Sequence, residues 1–125
     1  MDQPTVLIIT DDPEFSRLVS GRWQTERIVP AFAFMSGDLR SGFHPDAFDL
    51  AIVGQIHKSG LRPLLEELDR SSRPVILVSD HGQTAAAIRV ELPRVLVVRQ
   101  YEAWTDTLVL IATEVLRRAE AVARA

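Results

Sequence analysis

The stretch FDLAIVGQIHKSG, residues 48–60, decides the fold. From Phe48 to Val53 it is apolar at every position but Asp49. A strand apolar on both faces belongs inside a parallel sheet with helices covering both sides. At Gly54 the run stops and passes into the polar loop Gln55 to Gly60. The stretch reads as the central buried strand of an α/β domain, with Asp49 as a turn or cap residue at its start.

Working outward, three similar runs appear. Val6 to Ile9 is apolar and rich in β-branched residues and halts at Thr10-Asp11-Asp12-Pro13. Pro74 to Ser79 and Val95 to Val98 have the same character. Ile28 to Met35 is a further strand candidate, and Pro30 in it removes a ladder donor, which suits an edge strand. Between the strands lie helical patterns. Pro13 suits a first helical turn with Asp12 as N-cap, and Phe15, Leu18, Val19 and Trp23 then share one face. Leu61, Leu64, Leu65 and Leu68 recur at i, i+3, i+4 and i+7, an amphipathic helix with Pro63 in its first turn. Gln83 to Glu91 is a short Ala-rich helix closed by Pro93. The last helix starts near Ala103; Trp104, Leu108, Ile111, Val115 and Val122 form its stripe, which packs on the domain's own sheet or, in its later part, on another helix. Residues 36–45 hold at most a short helix.

Five strands alternating with five helical or near-helical segments imply a parallel sheet with right-handed crossovers. The expected architecture is a flavodoxin-like (βα)5 doubly wound five-stranded parallel sheet, strand order 2-1-3-4-5, in a single domain over residues 1–125. Ligand sites in such sheets form at the carboxyl ends of strands, at the switch point between strands 1 and 3. Asp11, Asp12 and Gly54 meet there.

Composition narrows the function class. The chain has 125 residues, 46% apolar and 25% charged, which suits one globular domain with a real core. A net charge of −3, with Lys58 the only lysine, offers no footprint for nucleic acid. The absence of cysteine excludes disulfides, thiolate metal sites and cysteine nucleophiles, and suits a reducing cytoplasm. MDQPTVLIIT has no basic lead and too short an apolar run for a signal peptide, and no apolar run reaches the roughly 18–20 residues of a membrane span.

The segments VLIITDDPEF, FDLAIVG, PVILVS and RVLVVRQYE stand in order on the first, third, fourth and fifth strands. Together they resemble the receiver domains of two-component response regulators, over essentially the whole chain. The interval from Gly54 to Ser79 is a few residues short for that family, which trims the loop or helix after the third strand. In the family an Asp at the third strand end takes a phosphoryl group from a phosphohistidine. Mg²⁺ neutralises that group, and a hydroxyl and a Lys grip it. The resemblance implies Asp11 and Asp12 as the acidic pair and Ser79 as the hydroxyl. It places Gly54 where the acceptor Asp stands, Arg99 at the Lys, Gln100 at the Pro after it, and Leu96 near the switch aromatic. Without a carboxylate at Gly54 no acyl phosphate forms there. The Arg99 fork fills a pocket differently from an ammonium, and without Pro the Arg99-Gln100 bond is expected to be trans.

The resulting expectation is a pseudo-receiver with a degenerate phosphorylation site, acting by protein–protein interaction and without catalysis or a required cofactor. The partner is another protein or a second copy. The face expected to dock it is made by the Gln83–Glu91 helix, the fifth strand and the last helix, with Ile88, Arg89, Tyr101 and Trp104 as contacts. Other readings stand beside it. Asp11 and Asp12 retain a weak Mg²⁺ site, or Asp12 caps the first helix while Asp11 pairs with Arg99. The strand-end pocket binds a small ligand. The chain is the receiver part of a longer transcriptional regulator. Gly54 serves a tight turn or the close approach of another group. His44, His57 and His81 are read as ordinary loop residues, and Arg117, Arg118 and Arg124 as complements to the last helix's dipole.

Overall fold

The computed structural model describes residues 5–26, 31–34, 48–56, 58–99 and 106–124. Its strands are β1 (Val6–Ile9), β2 (Ala31–Phe34), β3 (Leu50–Gly54), β4 (Val75–Val78) and β5 (Val95–Val98). The described helices are α1 (Pro13–Glu26), α2 (Lys58–Arg70), α3 (Gly82–Glu91) and α4 (Asp106–Arg124). The strands form one parallel sheet ordered β2-β1-β3-β4-β5. Val6 pairs with Ala31 on one side and Leu50 on the other, and Gly54 pairs with Val78. Asp49 fastens the lower end of this arrangement: its Oδ2 accepts the Thr5 N–H at 2.8 Å, and its own N–H donates to the Thr5 carbonyl at 2.9 Å.

Alternation along the strands sorts the core into two layers. Val6, Ile8, Leu50, Ile52, Ile76, Val78 and Val98 face Phe15 and Val19 of α1 and Leu108, Val109 and Ala112 of α4. Leu7, Ile9, Ala51, Val53, Val75, Leu77 and Val95 face Leu64, Leu65 and Leu68 of α2 and Ile88 and Leu92 around α3. Every residue of β3 is buried, as a central strand covered on both sides must be.

Several expectations shift. Ala31–Phe34 lies within the predicted second strand; Pro30 and the segment 36–45 lie outside the described residues. Leu18 is 38% exposed, because Phe15 and Val19, four apart, aim at the sheet and Leu18 falls on the flank. α2 begins at Lys58, three residues earlier than the leucine pattern suggests, so Pro63 lies inside the helix rather than in its first turn and withholds one backbone hydrogen bond. Val122 is 75% exposed. α4 has 19 residues, about 28 Å of helix, whereas a four-residue strand spans about 13 Å, so the helix outruns the sheet that covers its first half.

Arg117 and Arg118 are held by Glu114, at 2.6 Å and 3.0 Å. The hydrogen bond from Arg117, with that from Arg118 behind it, lowers the Glu114 carboxyl to about 2. A carboxyl lowered in the folded state contributes stability above its unfolded value and loses it as pH falls toward its folded one. Glu114→Gln is expected to melt slightly below the parent at neutral pH and to converge with it between about 4.5 and about 2. Thermal midpoints across that range at low salt check this; the gap is small because the pair is on the surface. In the core, Leu65→Ala is expected to cost about 2–5 kcal/mol in urea denaturation, while Val122→Ala changes stability by less than about 0.5 kcal/mol.

Candidate functional site

The carboxyl ends of β1, β3, β4 and β5 carry the residues singled out from the sequence. After β1, Thr10 is fully buried and its Oγ1 accepts the Asp12 N–H at 3.0 Å. This turn points Asp12 into α1, where its Oδ1 accepts the Glu14 N–H at 3.0 Å, the geometry of an N-cap. Asp11 is half-buried, and its N–H donates to the Gln55 carbonyl at 3.2 Å, tying the end of β1 to the end of β3.

After β4, the Ser79 N–H donates to the Val98 carbonyl at 2.9 Å, and Ser79 Oγ accepts the His81 N–H at 3.2 Å. His81 is the N-cap of α3: its Nδ1 lies 3.4 Å from the Thr84 nitrogen and 3.0 Å from Thr84 Oγ1. Sequence reasoning read His81 as an ordinary loop residue. The available signal was its place just before an Ala-rich helical run, with Thr84 three residues on, but histidine is not among the favoured cap residues. At the end of β5 Arg99 is exposed, and Leu96 is 42% exposed.

Gly54 is buried, and no glycine among the described residues has positive φ. The turn is made by Gln55 instead, at φ 54°. A tight turn therefore does not explain Gly54. Phe15 of α1 lies against it, a neighbour that helical periodicity had placed only in the core.

Among the described residues, one opening lies at the strand ends. A cleft of about 250 Å³ sits between the ends of β3 and β4, lined by Gln55, Ile56, Leu61, Ser79, His81 and Thr84. It includes Ser79 but not Asp11, Asp12, Gly54 or Arg99. Among the described residues no three His, Cys, Asp or Glu side chains gather as metal ligands do. Of the expected contact residues, Ile88 is 2% exposed and packs against Leu92 and Val95, so it belongs to the core and not to a docking surface. Arg89 is exposed; Tyr101 and Trp104, like His44, His57 and the Arg99-Gln100 bond, lie outside the described residues.

No family profile matches the chain, and no curated protein matches it. Solved structures do. The beryllofluoride-activated DrrB receiver domain superposes with a TM-score of 0.71 at 14% identity, covering 93% of this chain and 99% of that one. The non-phosphorylated receiver domain of the stress response regulator RcsB from Escherichia coli gives 0.67 at 16% identity, covering 94% and 95%. A de novo designed Rossmann 2x3 protein also gives 0.67, at 19% identity, covering 89% and 90%. These likenesses show a receiver-domain fold of the flavodoxin-like α/β class. At such identities they show the fold alone, and the designed protein makes that plain, since it shares the fold without being a response regulator.

Asp12→Ala is expected to lower stability by about 1 kcal/mol in urea denaturation, with Asp12→Asn restoring most of it, because the amide oxygen still accepts the α1 N–H.

Proposed function

We propose that this chain is a receiver-like signalling module that works by protein–protein interaction and is not switched by phosphorylation. The observation that carries this reading is Gly54. The position that the sequence resemblance assigns to the phosphoryl acceptor has no side chain, and an aromatic ring lies against its backbone. The flanking residues support the same view. Asp12 Oδ1 is committed to the α1 N-cap and Ser79 Oγ to the His81 N–H. A Mg²⁺ site of the receiver kind fits these residues poorly. The third carboxylate is missing, and the side of β3 that would supply it holds an apolar ring. The reading therefore includes no reaction and no resident cofactor. In it, Arg99 serves the acidic pair as a fixed cation.

The docking face in this reading is made by α3, the edge strand β5 and α4. Arg89, Val90 at 81% exposure and Leu96 at 42% are among its accessible groups. Among the described residues β5 is paired on one side, with β4, which makes it the edge strand at this face. A negatively charged chain with no membrane-crossing helix among its described residues is consistent with a cytoplasmic protein partner or a second copy, and not with nucleic acid.

An NMR titration with Mg²⁺ and then beryllofluoride tests the reading. No saturable amide shifts are expected at Asp11, Asp12, Gly54 or Ser79; saturable shifts that require beryllofluoride would overturn it. Sedimentation velocity over rising concentration tests the face. A dimer is expected, and Leu96→Asp should dissolve it.

A further inference from the structure

Why a glycine stands at position 54 is a question of space. A Cβ built on Gly54 lands in the Phe15 ring, overlapping Cζ and Cε2 and coming within 3.0 Å of Cε1. Carbon atoms in good contact lie about 3.5–4.0 Å apart. Strand alternation sets the direction. Leu50 and Ile52 point into the layer that holds Phe15, and position 54 is the next on that face. The ring has no room to retreat: Phe15 is 0% exposed and belongs to the cluster of Val19, Ile52, Val78, Val98 and Leu108.

We infer that Phe15 is a built-in plug: its ring occupies the volume that any side chain at position 54 would need, and closes the acceptor position from within the core. The inference rests on the reading that position 54 is the acceptor position, and takes it further. The site does not merely lack a carboxylate; it is filled. A carboxylate returned to position 54 alone meets a buried apolar ring, the surroundings in which an ionised group is least stable. Loss of the acceptor and occupation by the ring are thus one packed unit, and a single substitution does not reverse it.

Leucine at position 15 ends at Cδ and removes the three overlapping ring atoms, which allows a double-mutant cycle. Gly54→Ala in the parent chain is expected to lower the thermal midpoint by about 5 °C or more, as overpacking does. Phe15→Leu lowers it through lost volume. In the Phe15→Leu background, Gly54→Ala is expected to be neutral or to raise the midpoint, because the methyl group refills the space. A neutral Gly54→Ala in the parent chain, or additive losses in the double variant, would overturn the plug. Should Gly54→Ala fail to fold, recovery of folding in the double variant supports the plug and its absence overturns it. Magnesium beryllofluoride then separates this inference from the functional reading. Saturable binding by Gly54→Asp with Phe15 in place overturns the plug and leaves that reading standing. Saturable binding by the parent chain overturns the reading and leaves the outcome of the cycle intact.

Discussion

Burial of β3 on both faces is the constraint on which the rest of the molecule depends. Leu50 to Gly54 has β1 on one side and β4 on the other, with no side chain reaching water. Such a strand is stable only when apolar layers cover both sides. α1 and α4 supply one layer, α2 and α3 the other. Parallel pairing then brings the carboxyl ends of the strands to one edge, where Asp11, Gln55, Ser79 and Arg99 emerge. Asp49 completes the opposite end by bonding Thr5, so the central pair β1–β3 is held at both ends, with Asp11 bonding Gln55 above.

The polar groups at the carboxyl edge are used by the fold. Thr10 orients Asp12, Asp12 caps α1, Ser79 receives the His81 N–H, and His81 caps α3. Each bond satisfies a backbone donor at the start of a helix that has no partner within the helix. Asp12 Oδ1 and Ser79 Oγ are thereby turned back on the chain's own backbone. Beside it, the ring of Phe15 lies against Gly54 and puts hydrocarbon at the end of β3. A shared fold with receiver domains therefore carries no shared reaction by itself.

The surface is organised differently from the core. Arg62 bridges Glu66 on its own helix and Glu91 on α3, and Arg94 reaches the carbonyl and carboxylate of Asp69 at the end of α2. These pairs tie α2 to the chain around α3 on the sheet's second face, while contributing little energy each. α4 makes its own pairs through Glu114 and runs on past the sheet, which leaves Val122 uncovered.

The sequence by itself determined the α/β class, the buried central strand, the leucine face of α2 and the absence of a side chain at Gly54. Each is a matter of local periodicity or of residue identity, and both are visible in one dimension. It also placed Asp12 as a cap and Asp49 as a structural residue, because short acids beside a helix or strand start have few other uses. What only the tertiary structure decided depends on meetings between distant segments. Helical spacing put Phe15 on a core face but not against Gly54, whose contact needs α1 and β3 to be docked. The resemblance put Ile88 on a docking face, yet α3 turns it toward the sheet. Leu18 and Val122 belonged to apolar stripes, and the width and length of the sheet left them exposed. The cleft between the ends of β3 and β4 likewise gathers Gln55, Ile56, Leu61, Ser79, His81 and Thr84 from separate segments, a packing outcome that no single segment encodes.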